Sequence, residues 1–194
     1  MERPTVRSYS IRGSRITVAQ RQAKTALQMV HGIEFKQELI EVKAIFPNSQ
    51  SIIMEIGFGM GEATAIIAKN HPNNGYIAVD VHPPGIGKLL ARIVENNLTN
   101  LKVIEDDVHV VLQHMIPDES LDGIHLYFPD PWPKKKHNKR RIVNEGFLSL
   151  IHPMPPRQVH RQSVHYLVNI IGRNLRSYLR QRGEKMVNLR CMPG

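Results

Sequence analysis

Asp130 stands between Pro129 and Pro131 and beside Trp132, the only tryptophan of the chain, and six Lys/Arg follow within the eight residues Lys134–Arg141. The prolines restrict the backbone around the carboxylate. Trp132 offers a flat apolar surface for stacking or packing. The cationic run suits a phosphate backbone. A rigid acidic-aromatic corner beside such a run predicts a planar base gripped next to a polyanion. That is the equipment of an enzyme working on nucleic acid.

A second constellation is Glu55-Ile56-Gly57-Phe58-Gly59-Met60-Gly61-Glu62, followed by Asp80 and Asp107. Gly57 and Gly59 permit a tight turn and let a ligand approach the backbone where a Cβ would collide. Asp80 follows at the distance where an acid accepts hydrogen bonds from both ribose hydroxyls of an adenosine. Two ligands compete for this arrangement. A dinucleotide needs a pyrophosphate seat, which Glu55 at the turn and Glu62 at the helix start would repel. S-adenosylmethionine has no phosphate and carries a sulfonium and an ammonium, so the acids favour it. Asp107 suits the adenine's exocyclic amine and equally suits the N-cap of a helix opening at Val108.

The elements that must position these groups alternate. Ser51–Ile56 reads as a buried strand ending in glycines, and Glu62–Asn70 as a helix stopped before Pro72. Tyr76–Asp80 is a second strand, Gly87–Asn97 a helix, Leu101–Glu105 a third strand, Val108–Met115 a helix and Gly123–Phe128 a fourth strand. A short helix is expected over residues 35–46, and a last one capped by Asn138 and running to Ile151. Strands alternating with helices predict a parallel α/β sheet with crossover helices on its faces. Ligands collect at the carboxyl ends of such strands, where Glu55, Asp80, Asp107 and Asp130 fall in succession.

Charge marks out the ends. The net charge is +9, yet residues 25–133 carry six Lys/Arg against fourteen Asp/Glu. Residues 1–24 carry six against one, residues 134–151 six against one, and residues 152–194 eight against one. The expected organisation is a basic flexible arm (1–24), a catalytic domain (25–151) and a basic tail (152–194). Three basic segments on one chain point to a polyanion partner. The N-terminus lacks the apolar run of a signal peptide, and no apolar stretch is long enough to span a bilayer. Cys191, the single cysteine, has no internal disulfide partner, so a reducing, cytoplasmic setting is expected. His109, His114, His125 and His152 show no metal-ligand spacing, so no metal is expected.

E-I-G-F-G-M-G-E-A-T at 55–64, V-D-V-H-P-P-G-I-G at 79–87, D-D-V at 106–108 and Y-F-P-D-P-W-P-K-K-K-H-N-K-R-R-I at 127–142 resemble the bacterial tRNA (guanine-N7-)-methyltransferases. The resemblance covers roughly residues 5–151, and its last motif is the most specific. It implies a Rossmann-like class I methyltransferase fold, a parallel sheet flanked by helices, with S-adenosylmethionine as cofactor and tRNA as partner. It implies that Glu55, Asp80, Asp107 and Asp130 contact the cofactor and that Asp130 is catalytic. By the same resemblance Lys134 contacts substrate, and Lys136, His137, Asn138, Lys139, Arg140 and Arg141 touch tRNA. The family often has Glu where this chain has Asp80; either acid can hold a ribose.

Beyond Ile151 the resemblance ends. Members usually continue with a glycine turn, a fifth strand ending in Thr-Asp-Trp, and a Thr-Lys-Phe-Glu segment. This chain instead has Pro153-Met154-Pro155-Pro156 and then Val164, Leu167, Ile171, Leu175 and Leu179 at helical spacing, accompanied by arginines. The last strands of the family are therefore expected to be missing, and the change of character is read as a change of reading frame. Four readings stand: a tRNA guanine-N7 methyltransferase, a catalytically impaired RNA-binding remnant of it, a base-amine methyltransferase, and a dehydrogenase. Monomer and homodimer are both open.

Overall fold

The computed structural model describes residues 18–127, 142 and 144–151. Four strands, β1 (Ser51–Ile56), β2 (Asn74–Asp80), β3 (Leu101–Glu105) and β4 (Gly123–His125), form one sheet in the order β3-β2-β1-β4. All its pairings are parallel. Helices α1 (Val18–His31), α2 (Val42–Ile45), α3 (Glu62–Asn70), α4 (Pro83–Glu95), α5 (Val108–His114) and α6 (Glu145–Ile151) accompany it.

The strands are apolar on both faces because helices cover both. Ile52, Met54 and Ile56 of β1 point into a core shared with Val108, Val111 and Leu112 of α5 and Phe147 and Leu148 of α6. On the opposite face Tyr76 and Ala78 of β2 meet Ala65 and Ala68 of α3 and Ile86, Leu89, Leu90 and Ile93 of α4. Successive strands run outward from β1 to β3, and the chain then returns to set β4 on the other side of β1. This is the order of a Rossmann-like sheet, with its switch point between β1 and β4.

Strands β1 and β3 and helix α3 have the expected bounds. Helix α5 ends one residue earlier than expected, at His114, strand β2 begins two residues earlier, at Asn74, and other boundaries differ more. Residues 18–24, expected in the flexible arm, belong to α1. Lys24 and Gln28 both bond Glu105 at the end of β3, and Leu27 packs on the second core cluster, so tertiary contacts hold this helix against the sheet. The helix expected over 35–46 shrinks to the single turn α2. The segment before it runs along the sheet edge instead, with Ile33 N–H bonding the Val103 carbonyl and Ile40 N–H the Met115 carbonyl.

Helix α4 begins at Pro83 rather than Gly87. Two prolines occupy its first turn, where no N–H is required and φ is already helical. Helix α6 begins at Glu145, and the cap is Asn144, whose Oδ1 accepts the Phe147 N–H at 3.0 Å. Strand β4 ends at His125. The corner with Asp130 and Trp132, the run Lys134–Arg141, the residue Asn138 expected as a cap, and the whole of 152–194 lie outside the described residues.

Candidate functional site

The turn after β1 is left-handed three times over: Gly57, Gly59 and Gly61 have φ of 71°, 61° and 71°. A side chain in that region costs roughly 1–2 kcal/mol per residue, so glycine is selected on backbone grounds alone. The three differ in their surroundings. A Cβ on Gly57 or Gly59 would meet nothing within 4 Å, whereas one on Gly61 would lie 2.7 Å from Leu89 Cβ. Gly57 and Gly59 therefore border open space, and Gly61 lets α3 close against α4.

Asp80 closes the turn from β2. Its Oδ2 accepts the Gly59 N–H at 2.9 Å, and its Oδ1 accepts those of Val81 at 2.7 Å and His82 at 2.9 Å. The residue expected to hold a ribose is thus also the clamp that ties the glycine turn to the start of α4. An ionised carboxylate has about four acceptor positions. With three in use, about one is left for a sugar hydroxyl rather than a pair.

Glu55 lies beneath the turn, 3% exposed, with its Oε2 buried and without a hydrogen-bond partner among the described residues. Burial pushes its carboxyl up to about 7, and the charge of Asp80 adds to it. Thr64, in the first turn of α3, is 1% exposed, and its Oγ1 also lacks a hydrogen-bond partner among the described residues. A buried polar atom without a partner costs about 1–3 kcal/mol. Two such atoms flank the glycine turn, one at the end of β1 and one in the first turn of α3.

The neighbouring strand adds His125, in register with Glu55 and 7% exposed. Its ring sits between those of Tyr76 and Tyr127, at centroid distances of 6.4 and 5.3 Å. Burial holds its pKa down at about 4, with His71 contributing further, so the imidazole is neutral. Burial raises the pKa of both tyrosines, with the charge of Glu55 adding to each, so both remain phenols.

At the end of β3, Asp107 caps α5: its Oδ1 accepts the His109 N–H at 2.9 Å and lies 3.0 Å from His109 Nδ1. Next to it Glu105 is held by Lys24 and Gln28. Sequence reasoning brought Glu55, Gly57, Gly59, Asp80 and Asp107 to one edge of the sheet, and the structure brings them there. It missed Thr64, His125 and the Lys24–Glu105 pair. The alternation of β1 and the E-A-T segment carried a signal for Thr64; nothing local joins Lys24 to a residue 81 positions away. Asp130, Lys134, Lys136, His137, Asn138, Lys139, Arg140 and Arg141 lie outside the described residues, so their place in the site is not part of this geometry.

Among the described residues no helix is long and apolar enough to cross a membrane. A family model with the description "Putative methyltransferase" matches residues 49–156. The tRNA (guanine-N(7)-)-methyltransferase of Nitrosospira multiformis is 47% identical over 146 residues, which are 75% of this chain and 64% of that protein. That of Nitrosomonas eutropha is 49% identical over 148 residues, 76% of this chain and 66% of that protein. The chain thus spans slightly under two thirds of the length of these curated relatives. Among solved structures, an aminoglycoside resistance methyltransferase matches 61% of this chain and 58% of its own, at 14% identity and a TM-score of 0.47.

Proposed function

The chain belongs to this methyltransferase family, and from that premise we propose that it transfers a methyl group from S-adenosylmethionine to N7 of a guanine in the variable loop of tRNA, in the cytoplasm. The observation that carries the reading is the buried Glu55 carboxyl, whose Oε2 has no hydrogen-bond partner among the described residues, beneath a glycine turn that Asp80 clamps from β2. A phosphate-bearing dinucleotide would face both carboxylates there. A cationic cofactor without phosphate meets them favourably.

When bound, S-adenosylmethionine supplies an electrophilic methyl group on sulfur, for which guanine N7, a lone pair without a proton, is a competent acceptor. Glu55 would receive the ammonium, Asp80 a ribose hydroxyl, and Asp107 the adenine amine. Gly57 and Gly59 leave the room that the cofactor needs against the backbone. No strong base is required. Alignment, and compensation for charge developing on the base, are what the chain must provide. By family resemblance Asp130 accepts hydrogen bonds from the guanine and is the catalytic residue, Lys134 meets substrate, and Lys136–Arg141 contact phosphates. Phosphate contacts of this kind confer affinity without sequence information.

The test is incubation of purified protein with methyl-labelled S-adenosylmethionine and tRNA transcripts, followed by nucleoside mass spectrometry. Label recovered as 7-methylguanosine is the expected result. Label on an exocyclic amine, or tRNA binding without any transfer, would overturn the assignment. Asp130→Ala is expected to nearly abolish turnover while changing cofactor affinity little; full activity in that variant would remove Asp130 from the mechanism.

A further inference from the structure

Asp107 Oδ1 receives two nitrogens of one residue. The backbone N–H of His109 reaches it at 2.9 Å, and the ring Nδ1 of His109 lies 3.0 Å from it. The backbone bond is the ordinary cap of a helix start, and it is the one that α5 needs. The ring bond is additional. An ionised carboxylate only accepts, so the ring nitrogen facing it carries the proton. A second element holds the ring from its other side. It meets the fully buried Phe147 of α6 edge-on, with centroids 5.6 Å apart and planes at 64°. Phe147 is itself tied to the start of α6 by its N–H on Asn144 Oδ1. His109 therefore bridges from α6 to the carboxylate that follows β3, the two side chains being 26% and 23% exposed.

We propose that His109 is a positioning residue for Asp107, its ring N–H and the Phe147 brace fixing the plane of the carboxylate so that the site selects a purine by its exocyclic amine. A carboxylate held by a single backbone N–H still turns about its bond to Cβ. A second donor, rigid because its ring is packed, stops that rotation. Rotation matters because the purine edge is directional. The amine of adenine donates, whereas the carbonyl of a 6-oxopurine accepts and meets the acceptor-only carboxylate unfavourably. A fixed carboxylate cannot swing away to relieve that mismatch, so the chemical difference becomes a difference in affinity. The neighbouring acids are engaged elsewhere: Asp106 Oδ1 accepts the Asp107 N–H at 2.7 Å, and Glu105 is bound by Lys24 and Gln28.

This inference rests on the cofactor reading and the adenine contact of Asp107 given above, and the experiment separates the three. Calorimetry compares S-adenosylhomocysteine, the cofactor without its methyl group, with S-inosylhomocysteine, which differs from it at the purine 6-position. The wild type should prefer the adenosyl ligand. His109→Phe keeps a ring against Phe147 and the backbone cap but lacks the N–H; its preference should fall roughly tenfold, through weaker adenosyl binding alone. His109→Asn, whose amide nitrogen takes the place of Nδ1, should retain most of the preference. His109→Leu gives the same reading as His109→Phe should the latter not fold. In ligand-free protein carrying ¹⁵N-histidine, NMR at pH 8 should show His109 as the Nδ1–H tautomer. An Nε2–H tautomer, equal losses for both ligands in His109→Phe, an unchanged preference, or a His109→Asn no better than His109→Phe overturns the role of His109, while the wild-type preference sustains the adenine contact. A wild type that binds both ligands equally overturns that contact and this inference with it, and leaves the cofactor reading standing. A wild type that binds neither overturns all three.

Discussion

Burial of the Glu55 carboxyl sets its charge against the fold. Its folded pKa of about 7 stands above the ordinary 4.5, so the native state holds a proton that the unfolded chain has released. The sign follows from linkage: the contribution to stability is intact below about 4.5 and is lost as pH rises through about 7. At about 1.4 kcal/mol per pH unit the loss reaches roughly 3 kcal/mol. Glu55→Gln should therefore be more stable than the wild type at pH 8, by about 1–3 kcal/mol, and nearly equal to it at pH 4.5. It should also bind the cofactor at least tenfold more weakly. Urea unfolding at the two pH values checks this, and parallel curves would show that the carboxyl is not held protonated by the fold.

Helix α4 and the glycine turn are built as one unit. A Cβ on Gly85 would stand 1.9 Å from the carbonyl oxygen of Gly59, an approach that only movement of helix or turn can relieve. Gly57 borders open space, so alanine there meets only the left-handed φ of 71°. Gly85→Ala should thus cost about 1–3 kcal/mol as overpacking and displace the turn. Gly57→Ala should cost nearer 1 kcal/mol in folding and express itself mainly in weaker cofactor binding. Gly87→Ala, on the same helix with nothing near its Cβ, should stabilise by about 0.5–1 kcal/mol. Three denaturation midpoints and three cofactor titrations decide the order. Equal losses at Gly85 and Gly87 would mean that the turn does not rest on the helix.

Two buried groups set opposed pH windows for the molecule as a whole. His125, whose pKa is about 4 in the fold and 6.5 outside it, contributes stability that is present above 6.5 and lost as pH falls through 4. Glu55 loses its contribution in the other direction, from about 4.5 to about 7. Between 4.5 and 6.5 the two slopes oppose each other and the net dependence from this pair is shallow. His125→Phe keeps a ring between Tyr76 and Tyr127 and removes one slope. That variant should lose roughly 3 kcal/mol between pH 4.5 and 7 by way of Glu55. A variant as flat as the wild type over that range would show that the imidazole is not the compensating group.

Much of this was legible before any coordinates. β1, β3 and α3 follow from runs of apolar residues bounded by Gly, Pro and Asn, and Glu55, Asp80 and Asp107 fall at strand ends by counting. These depend on neighbours in the chain, which a sequence states directly. Contacts across the chain decided the rest. That Lys24 and Gln28 reach Glu105 draws α1 out of the expected arm. That Asp80 accepts three backbone N–H groups makes it the clamp of the glycine turn. The register that sets His125 beside Glu55 puts a neutral ring next to the acid. The charge state of Glu55 is the clearest case. Its identity and place at the strand end are written in the sequence. How far it is desolvated is fixed only when the helices close over the sheet, because that depends on water excluded by residues far apart in the chain.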